Sequence, residues 1–328
     1  MKKLLGMLMM ALIMITLMVG CGTENDISSA DEQLKLGIIQ IVEHPSLDAA
    51  RQGFLDVLQE QGYEEGTNLM IDYQNAQNDQ ANLQTIARKF VHSQSDLVLS
   101  IATPSAMTMA NETADLPILF TAVTDPISAK LVQSLEKPGG NVTGTTDINP
   151  VKDQLKLIKD LVPKTKKVGI IYNASEINSQ IQVEIAEQAA PELGIELVKV
   201  TVTASNEVMQ AAQSMIGKVD ALYLPTDNMI ISSIAAVIKV AEEHKIPVIT
   251  GETDSVEKGA LASIGIDYYQ LGRTTGEMAI QIINGENPRD MAVQSQAGGN
   301  LVINQSAAGK MGVTISEELK TKAKKIIE

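Results

Sequence analysis

The sequence predicts an α/β protein of two lobes, each built on a mainly parallel sheet, and three observations support this prediction. Short apolar segments bounded by turn residues alternate with longer amphipathic segments, which is typical of βαβ units. This alternation occurs twice, with the same order of elements each time. The chain has 328 residues, which is longer than a domain with a single hydrophobic core usually is.

The duplication is visible in matched segments of the two halves. One pair is KLGIIQIVEHPS, from Lys35, and KVGIIYNASEIN, from Lys167. Two further pairs are SDLVLSIATPSA with VDALYLPTDNMI, and LPILFTAVTD with IPVITGETD. Each half therefore reads as one Rossmann-like lobe. Because ligands bind outside the carboxyl ends of parallel strands, we expect the loops after these strands to line one cleft between the lobes.

The chain is expected to cross between the lobes near residues 143–148 and again near 266–268. The segment YYQLGRTTGEMAIQIINGE reads as a helix without a counterpart after the first crossing, so we assign it to the first lobe. The first lobe then comprises 34–146 plus 268–297, and the second 147–267 plus 298–328. A cleft with a hinge of this kind is suited to capture by closure.

The N-terminal 20 residues predict an export signal. A short basic start precedes the uncharged run Leu4–Val19, which is shorter than a bilayer span. The only cysteine, Cys21, follows the letters MVG and cannot form an internal disulfide. This stretch resembles a bacterial lipobox, so we predict lipidation at Cys21 and a polar linker over 21–33. The mature protein would then be extracytoplasmic and anchored to the membrane.

Composition and motifs exclude several function classes. A net charge of −14 argues against nucleic-acid binding, which needs a basic surface. The sequence has no GxSxG, no GxxxxGK[ST] and no second cysteine, which argues against an enzyme. No cofactor motif is complete, and one loop histidine, His44, offers too few ligands for a metal.

Seven segments between about residues 35 and 285 resemble those of the extracytoplasmic solute-binding proteins of ABC importers, in the tryptophan/tyrosine-type subfamily. They are GIIQIVEHPSLDAARQGFLDVL, ATPSA, AVTDP, GGNVTGTTD, YNASEINS, LPTDN and DYYQLGRTTGEMA. The resemblance implies the type I periplasmic-binding-protein (Venus flytrap) fold. It also implies capture of a small solute, an aromatic amino acid, for delivery to a permease and its ATPase. A ligand-presenting sensory protein, or a binder of a sugar or nucleoside, remains the alternative.

Capture of an amino acid needs hydroxyls and N–H groups for the carboxylate, an acid for the ammonium, and a shaped pocket. In the first lobe, Thr103 and Ser105 open a helix whose N-terminus favours an anion, although one of them is expected to cap that helix. Thr124 offers another hydroxyl, and Asp125 either an ammonium contact or a cap. The first-lobe candidates are His44, Thr103, Pro104, Ser105, Thr124, Asp125 and Thr145.

In the second lobe, Asp227 is the first choice for the ammonium, because a short carboxylate at a strand end can reach the cleft. Capping of the following helix is the alternative role for Asp227. Glu252 and Asp267 are the other acids considered, and Tyr172 offers an aromatic wall. The second-lobe candidates are Tyr172, Asn173, Ser175, Asp227, Asn228, Glu252 and Asp267.

Overall fold

The structure is a computed structural model and describes residues 33–296 and 298–328. The predicted signal peptide, residues 1–20, and the lipidation site Cys21 lie outside the described residues, as does nearly all of the predicted linker. Among the described residues, we find no helix with the length and hydropathy of a membrane span.

The first sheet has six strands in the order β11-β5-β4-β3-β1-β2, and all neighbours are parallel. Its inner strands β3 and β4 are buried along their whole length, which is typical of parallel strands covered by helices on both faces. Its strands are β1 (Leu34–Gln40), β2 (Leu69–Asn75), β3 (Leu97–Ile101), β4 (Ile118–Val123), β5 (Val142–Thr146) and β11 (Gln294–Ser295).

The second sheet has seven strands in the order β13-β12-β10-β9-β8-β6-β7. Only the pair β10 and β12 is antiparallel, and the other neighbours are parallel. Its strands are β6 (Lys167–Asn173), β7 (Glu196–Val202), β8 (Ala221–Leu224), β9 (Val248–Thr250), β10 (Ala262–Gly265), β12 (Asn300–Asn304) and β13 (Lys325–Ile327).

Helices connect the strands and cover both sheets. They are α1 (Pro45–Glu60), α2 (Gln80–His92), α3 (Thr103–Glu112), α4 (Val151–Leu161), α5 (Ile177–Ala189), α6 (Val208–Ser214), α7 (Asn228–Ser232), α8 (Ile234–His244), α9 (Asp254–Glu257), α10 (Tyr268–Ile283), α11 (Gln305–Met311) and α12 (Glu317–Lys322). Each sheet has its own cluster of buried apolar side chains. The predicted α/β fold of two Rossmann-like lobes is therefore confirmed, while the predicted lobe boundaries stay a prediction.

The chain passes between the two sheets three times, after β5, after β10 and after β11. These crossings are hydrogen bonded to one another. The N–H of Ile266 donates to Asn149 Oδ1 at 3.3 Å, and the N–H of Asp267 donates to Gln296 Oε1 at 3.2 Å. The three crossings together form the hinge between the lobes.

Helix α10 follows the second crossing and packs closely against α1 of the first lobe. A Cβ atom on Gly272 would lie 1.9 Å from the backbone oxygen of Ala50, and one on Gly53 would lie 2.1 Å from that of Tyr269. Glycine at these positions lets the two backbones approach. This packing fixes Tyr268, the first residue of α10, beside the loops of the first sheet.

Candidate functional site

A small cavity lies between the lobes, at the carboxyl ends of their strands. About 20 Å³ of it is open to a water-sized sphere, far less than the several hundred Å³ of a typical small-molecule pocket. The lobes must therefore move apart both to admit a solute the size of an amino acid and to make room for it. The lining residues are His44, Leu47, Thr103, Ala122, Thr124, Asp147, Asn178, Thr226, Asn228, Ile231, Glu252 and Tyr268.

Three buried polar atoms of this lining have no hydrogen-bond partner within the protein. They are His44 Nδ1, Thr103 Oγ1 and Asn178 Oδ1. Buried polar atoms are nearly always paired, because an unpaired one loses its bonds to water without compensation. Their gathering around one cavity, with contributions from both lobes, marks it as a place where a polar ligand can complete the bonding.

The backbone at the carboxyl ends of β3 and β4 is strained. Ala102 has φ 74° and Ala122 has φ 57°, in the left-handed region that alanine rarely adopts. Ala122 lines the cavity, and Ala102 directly precedes Thr103 at the start of α3. Strain of this kind persists where the surroundings impose it, and it concentrates at ligand sites.

The N-terminus of α3 points its first turn toward the cavity without a side-chain cap. The N-cap residue is Ala102, so neither Thr103 nor Ser105 caps the helix, and that alternative role is wrong. Both hydroxyls are buried without a partner. The free N–H groups of a helix N-terminus and its dipole attract an anion. The start of α3 can therefore receive a carboxylate.

Asp147 is a buried acid of the lining that lies just after β5, in the first crossing. It accepts hydrogen bonds from Thr124 Oγ1 at 3.1 Å and from the Tyr268 hydroxyl at 2.7 Å. Burial raises the pKa of Asp147, and the bonds from Tyr268 and Thr124 partly offset this rise. The carboxylate therefore lacks a cationic partner that would compensate its charge.

Glu252 is the second buried acid of the lining, and it connects the lobes. Ser46 Oγ, from α1 of the first lobe, lies 2.7 Å from Glu252 Oε2 and 2.7 Å from Asp254 Oδ2. Ser255 donates from its N–H to Glu252 Oε2 at 3.1 Å and from its hydroxyl to Oε1. Burial, followed by the charge of Asp254, raises the pKa of Glu252. The hydroxyl of Ser46 thus connects the first lobe to the carboxyl groups of Glu252 and Asp254 in the second lobe.

His44 follows β1 and is 8% exposed. Burial lowers its pKa to about 4, and the Asn228 side chain opposite acts in the other direction. The imidazole is therefore neutral in this closed arrangement at physiological pH. No group of three or more His, Cys, Asp and Glu side chains among residues 33–296 and 298–328 is arranged to hold a metal ion.

Five residues singled out from the sequence line the cavity, namely His44, Thr103, Thr124, Asn228 and Glu252. Asp227 does not line it. Its side chain is fully buried and accepts bonds from the N–H groups of Asn173 at 2.6 Å and Ile230 at 3.0 Å, so it caps α7.

The other candidates lie outside the lining. Asp125 accepts from its own turn, at Ile127 and Ser128, and Asp267 caps α10. The hydroxyl of Thr145 bonds to neighbouring threonines of the first lobe. The remaining candidates outside the lining are Pro104, Ser105, Tyr172, Asn173 and Ser175.

Four polar lining residues are not among the candidates from the sequence, namely Asp147, Asn178, Thr226 and Tyr268. Asp147 ends the segment GGNVTGTTD, and its position in the predicted crossing was the available signal. Asn178 lies inside α5 rather than in the loop before it, and no pattern distinguishes it from a surface residue of that helix.

Comparison with known proteins supports a closed arrangement of the lobes. A structure from Streptococcus pneumonia in complex with L-Trp is 40% identical with a TM-score of 0.87, covering 90% of this chain and 100% of that one. A ligand-free, open structure of a substrate-binding protein with adhesive properties from Clostridium difficile is 46% identical with a TM-score of 0.67, covering 89% and 99%. The more similar sequence has the less similar structure, which indicates that the lobes are closed in this chain.

Sequence comparison gives the same relationship. A tyrosine-binding protein of Clostridioides difficile (strain R20291) is 46% identical over 312 residues, which are 93% of this chain and 90% of the relative. The model of the family described as ABC transporter substrate binding protein matches residues 35–327. Members of this family bind solutes rather than catalyse reactions, so the prediction of no enzyme is confirmed. This chain belongs to the family of ABC transporter substrate-binding proteins.

Proposed function

We propose that the protein captures an aromatic amino acid, tyrosine or tryptophan, in the cavity between the lobes. It then delivers this solute to the permease and ATPase of an ABC importer, while lipid attachment at Cys21 keeps it at the outer face of the membrane. One observation carries the choice of ligand. The cavity presents two buried carboxyl groups, no lysine or arginine, and an uncapped helix N-terminus.

The two acids account for the ammonium group. Asp147 and Glu252 line the cavity without a lysine or an arginine among the lining residues. A buried carboxylate without a counter-charge is costly, and an ammonium group placed between the lobes compensates it. Asp147 accepts two hydrogen bonds within the protein, whereas Glu252 accepts three, one from Ser46 and two from Ser255. We therefore assign the closer role to Asp147.

The start of α3 accounts for the carboxylate. The unpartnered hydroxyls of Thr103 and Ser105 lie in the first turn of this helix, whose N-terminal N–H groups have no side-chain cap. A carboxylate there gains charge-assisted hydrogen bonds and a favourable interaction with the helix dipole. The acids and the helix terminus together fit a zwitterion, which a sugar or a nucleoside does not provide.

The side chain of the ligand is inferred from relatives and from the apolar part of the lining. One relative is described as tyrosine-binding and another is in complex with L-Trp. Leu47, Ala122, Ile231 and the ring of Tyr268 supply apolar surface in the cavity. An aromatic ring gains most from such surface, because its large apolar area leaves water.

Capture is a two-step process. The solute first binds to the open cleft, and closure then adds contacts from the opposite lobe. Closure is favoured only by contacts that are absent in the open state. The hydroxyl of Ser46, bonded to Glu252 and Asp254 of the second lobe, is one such contact.

Ser46→Ala is expected to weaken binding of the amino acid by about ten- to a hundredfold. Removing a hydrogen bond to a charged group costs about 1.5–3 kcal/mol, and here the cost falls on the closed state alone. Isothermal titration calorimetry measures the loss, and the melting temperature without ligand should stay near that of the wild type. Ser255→Ala is the matched control, because Ser255 bonds Glu252 within one lobe and its loss should lower that melting temperature instead.

A thermal-shift panel tests the ligand class on purified protein that has been unfolded and refolded to remove bound solute. Tyrosine or tryptophan should stabilise the protein by about 2.7 kcal/mol at a concentration of a hundred times Kd. Tyramine, without the carboxylate, and 3-(4-hydroxyphenyl)propionate, without the ammonium, should stabilise it far less. Stabilisation by a sugar or a nucleoside, with no response to any amino acid, would overturn the proposal.

A further inference from the structure

Glu176 lies behind the cavity wall of the second lobe, at the start of α5, and is not one of the lining residues. Its buried carboxylate accepts hydrogen bonds from three asparagines. The Nδ2 groups of Asn228, Asn178 and Asn173 lie 2.5, 3.1 and 3.3 Å from its oxygens. Two of these asparagines, Asn178 and Asn228, line the cavity.

The bonds of Asn178 fix the orientation of its amide. Its Nδ2 lies 3.1 Å from Glu176 Oε2 and 3.0 Å from the backbone oxygen of Thr226. A backbone carbonyl and an ionised carboxylate only accept hydrogen bonds, so the –NH₂ end must face them. The carbonyl oxygen Oδ1 is consequently turned away from Glu176, and it is buried without a partner.

The donor end of the Asn228 amide is held on Glu176 as well. Its Nδ2 lies 2.5 Å and its backbone N 3.3 Å from Glu176 Oε2. The acceptor end of this amide is therefore turned away from Glu176, toward His44, with which the Asn228 side chain is hydrogen bonded.

We infer that Glu176 is a positioning residue that turns the carbonyl oxygen of Asn178 toward the cavity and that of Asn228 toward His44. The unpartnered oxygen of Asn178 thereby selects a hydrogen-bond donor of the ligand, namely its ammonium or the O–H or N–H of its ring. This inference rests on the proposed function for the identity of the ligand, but the orientation of the amides does not depend on it.

Glu176 is held at an electrostatic cost, which separates a positioning role from a structural one. Burial, followed by the charge of Asp227, raises the pKa of Glu176 to about 7. Replacing a buried charge beside a like charge by a neutral isostere relieves repulsion. If Glu176 had only a structural role, Glu176→Gln would therefore bind the ligand as the wild type does. If Glu176 positions the amides, the variant should bind the ligand more weakly, because a glutamine side chain also donates hydrogen bonds and allows an asparagine amide to turn over.

A double-mutant cycle tests the inference through binding. Glu176→Gln and Asn178→Ala are each expected to weaken binding of tyrosine or tryptophan by about tenfold. The double variant should lose less than the product of the two single losses, because no amide is left at position 178 for Glu176 to orient, while Asn228 is still affected. Glu184→Gln, at an exposed position of the same helix, is the control and should bind as the wild type does. Multiplicative losses in the cycle, or no loss in Glu176→Gln, would overturn the inference.

A second measurement needs no ligand and so separates this inference from the proposed function. The side-chain amide signals of Asn178 and Asn228 are identified in NMR spectra by their loss in Asn178→Ala and in Asn228→Ala. Both signals should shift together as pH is changed, with a midpoint near pH 7. Protonation of Glu176 removes the charge that both amides bind, and Asp227 is the acid whose charge raises that midpoint. The shift should vanish in Glu176→Gln. If these signals do not respond to pH in the wild type, Glu176 does not orient them and the inference fails, whichever solute binds.

Discussion

Asp147→Asn is expected to weaken binding of tyrosine or tryptophan by about a hundredfold or more. Truncating one partner of a buried charge pair costs about 2–5 kcal/mol, and every 1.4 kcal/mol is tenfold in Kd. The change keeps the shape of the side chain and an oxygen that can accept from Tyr268 or Thr124. Calorimetric titration of both proteins with the same amino acid measures the ratio.

The control for this prediction is Asp125→Asn. Asp125 lies one loop away, is absent from the cavity lining and bonds to its own turn, so the variant should bind as the wild type does. A second comparison uses 3-(4-hydroxyphenyl)propionate, which lacks the ammonium and should lose no affinity in Asp147→Asn. If this analogue loses as much as tyrosine, Asp147 acts through its support of Tyr268 and not through its charge.

Acid pH is expected to weaken ligand binding through His44, by about thirtyfold at pH 5 relative to pH 7.5. The pKa of His44 is lowered to about 4 in the closed protein, while a solvated imidazole in the open cleft has a pKa of about 6.5. A group with a lowered pKa favours closure above its open-state value, and this contribution is lost as pH falls from about 6.5 toward 4. Titrations of Kd against pH measure the effect.

The buried acids also take up protons as the pH falls, and their effect must be separated from that of His44. Burial raises the pKa of Asp147 and of Glu252, and protonation of Asp147 removes the charge that binds the ammonium. These acids are common to the wild type and to His44→Gln, which does not titrate at this position. The wild-type Kd divided by the variant Kd should therefore rise about thirtyfold between pH 7.5 and 5. A falling ratio would mean that the imidazolium binds the carboxylate of the ligand.

The fold could be predicted well from the sequence because its signals are local and repeated. Buried parallel strands such as LVLSI and ILFTAV are continuous apolar runs, and their counterparts recur in the same order in the second half. One edge strand of each sheet could not be predicted. Strand β11 has two residues and β13 has three, and both depend on a neighbouring strand rather than on a pattern of their own.

The cavity could be predicted only in part, because position along a strand does not determine where a side chain points. His44 and Thr124 follow strand ends and do reach the cavity. Asp227 follows a strand end as well, but the N–H groups at the start of α7 and the N–H of Asn173 hold its carboxylate inside the lobe. Asp147 reaches the cavity from the crossing, a segment whose path depends on the packing of both lobes.

The bonded crossings of the hinge have a consequence for the motion of the lobes. Two lobes joined by a single segment of chain can twist relative to each other as well as bend. Here three segments run between the lobes, and hydrogen bonds from Ile266 to Asn149 and from Asp267 to Gln296 tie them side by side. A hinge of three bonded segments resists twisting and leaves bending about one axis as the easiest motion. The lobes therefore return to the same relative orientation each time they close. Little of the free energy of ligand binding is therefore needed to restrict rotation of one lobe relative to the other.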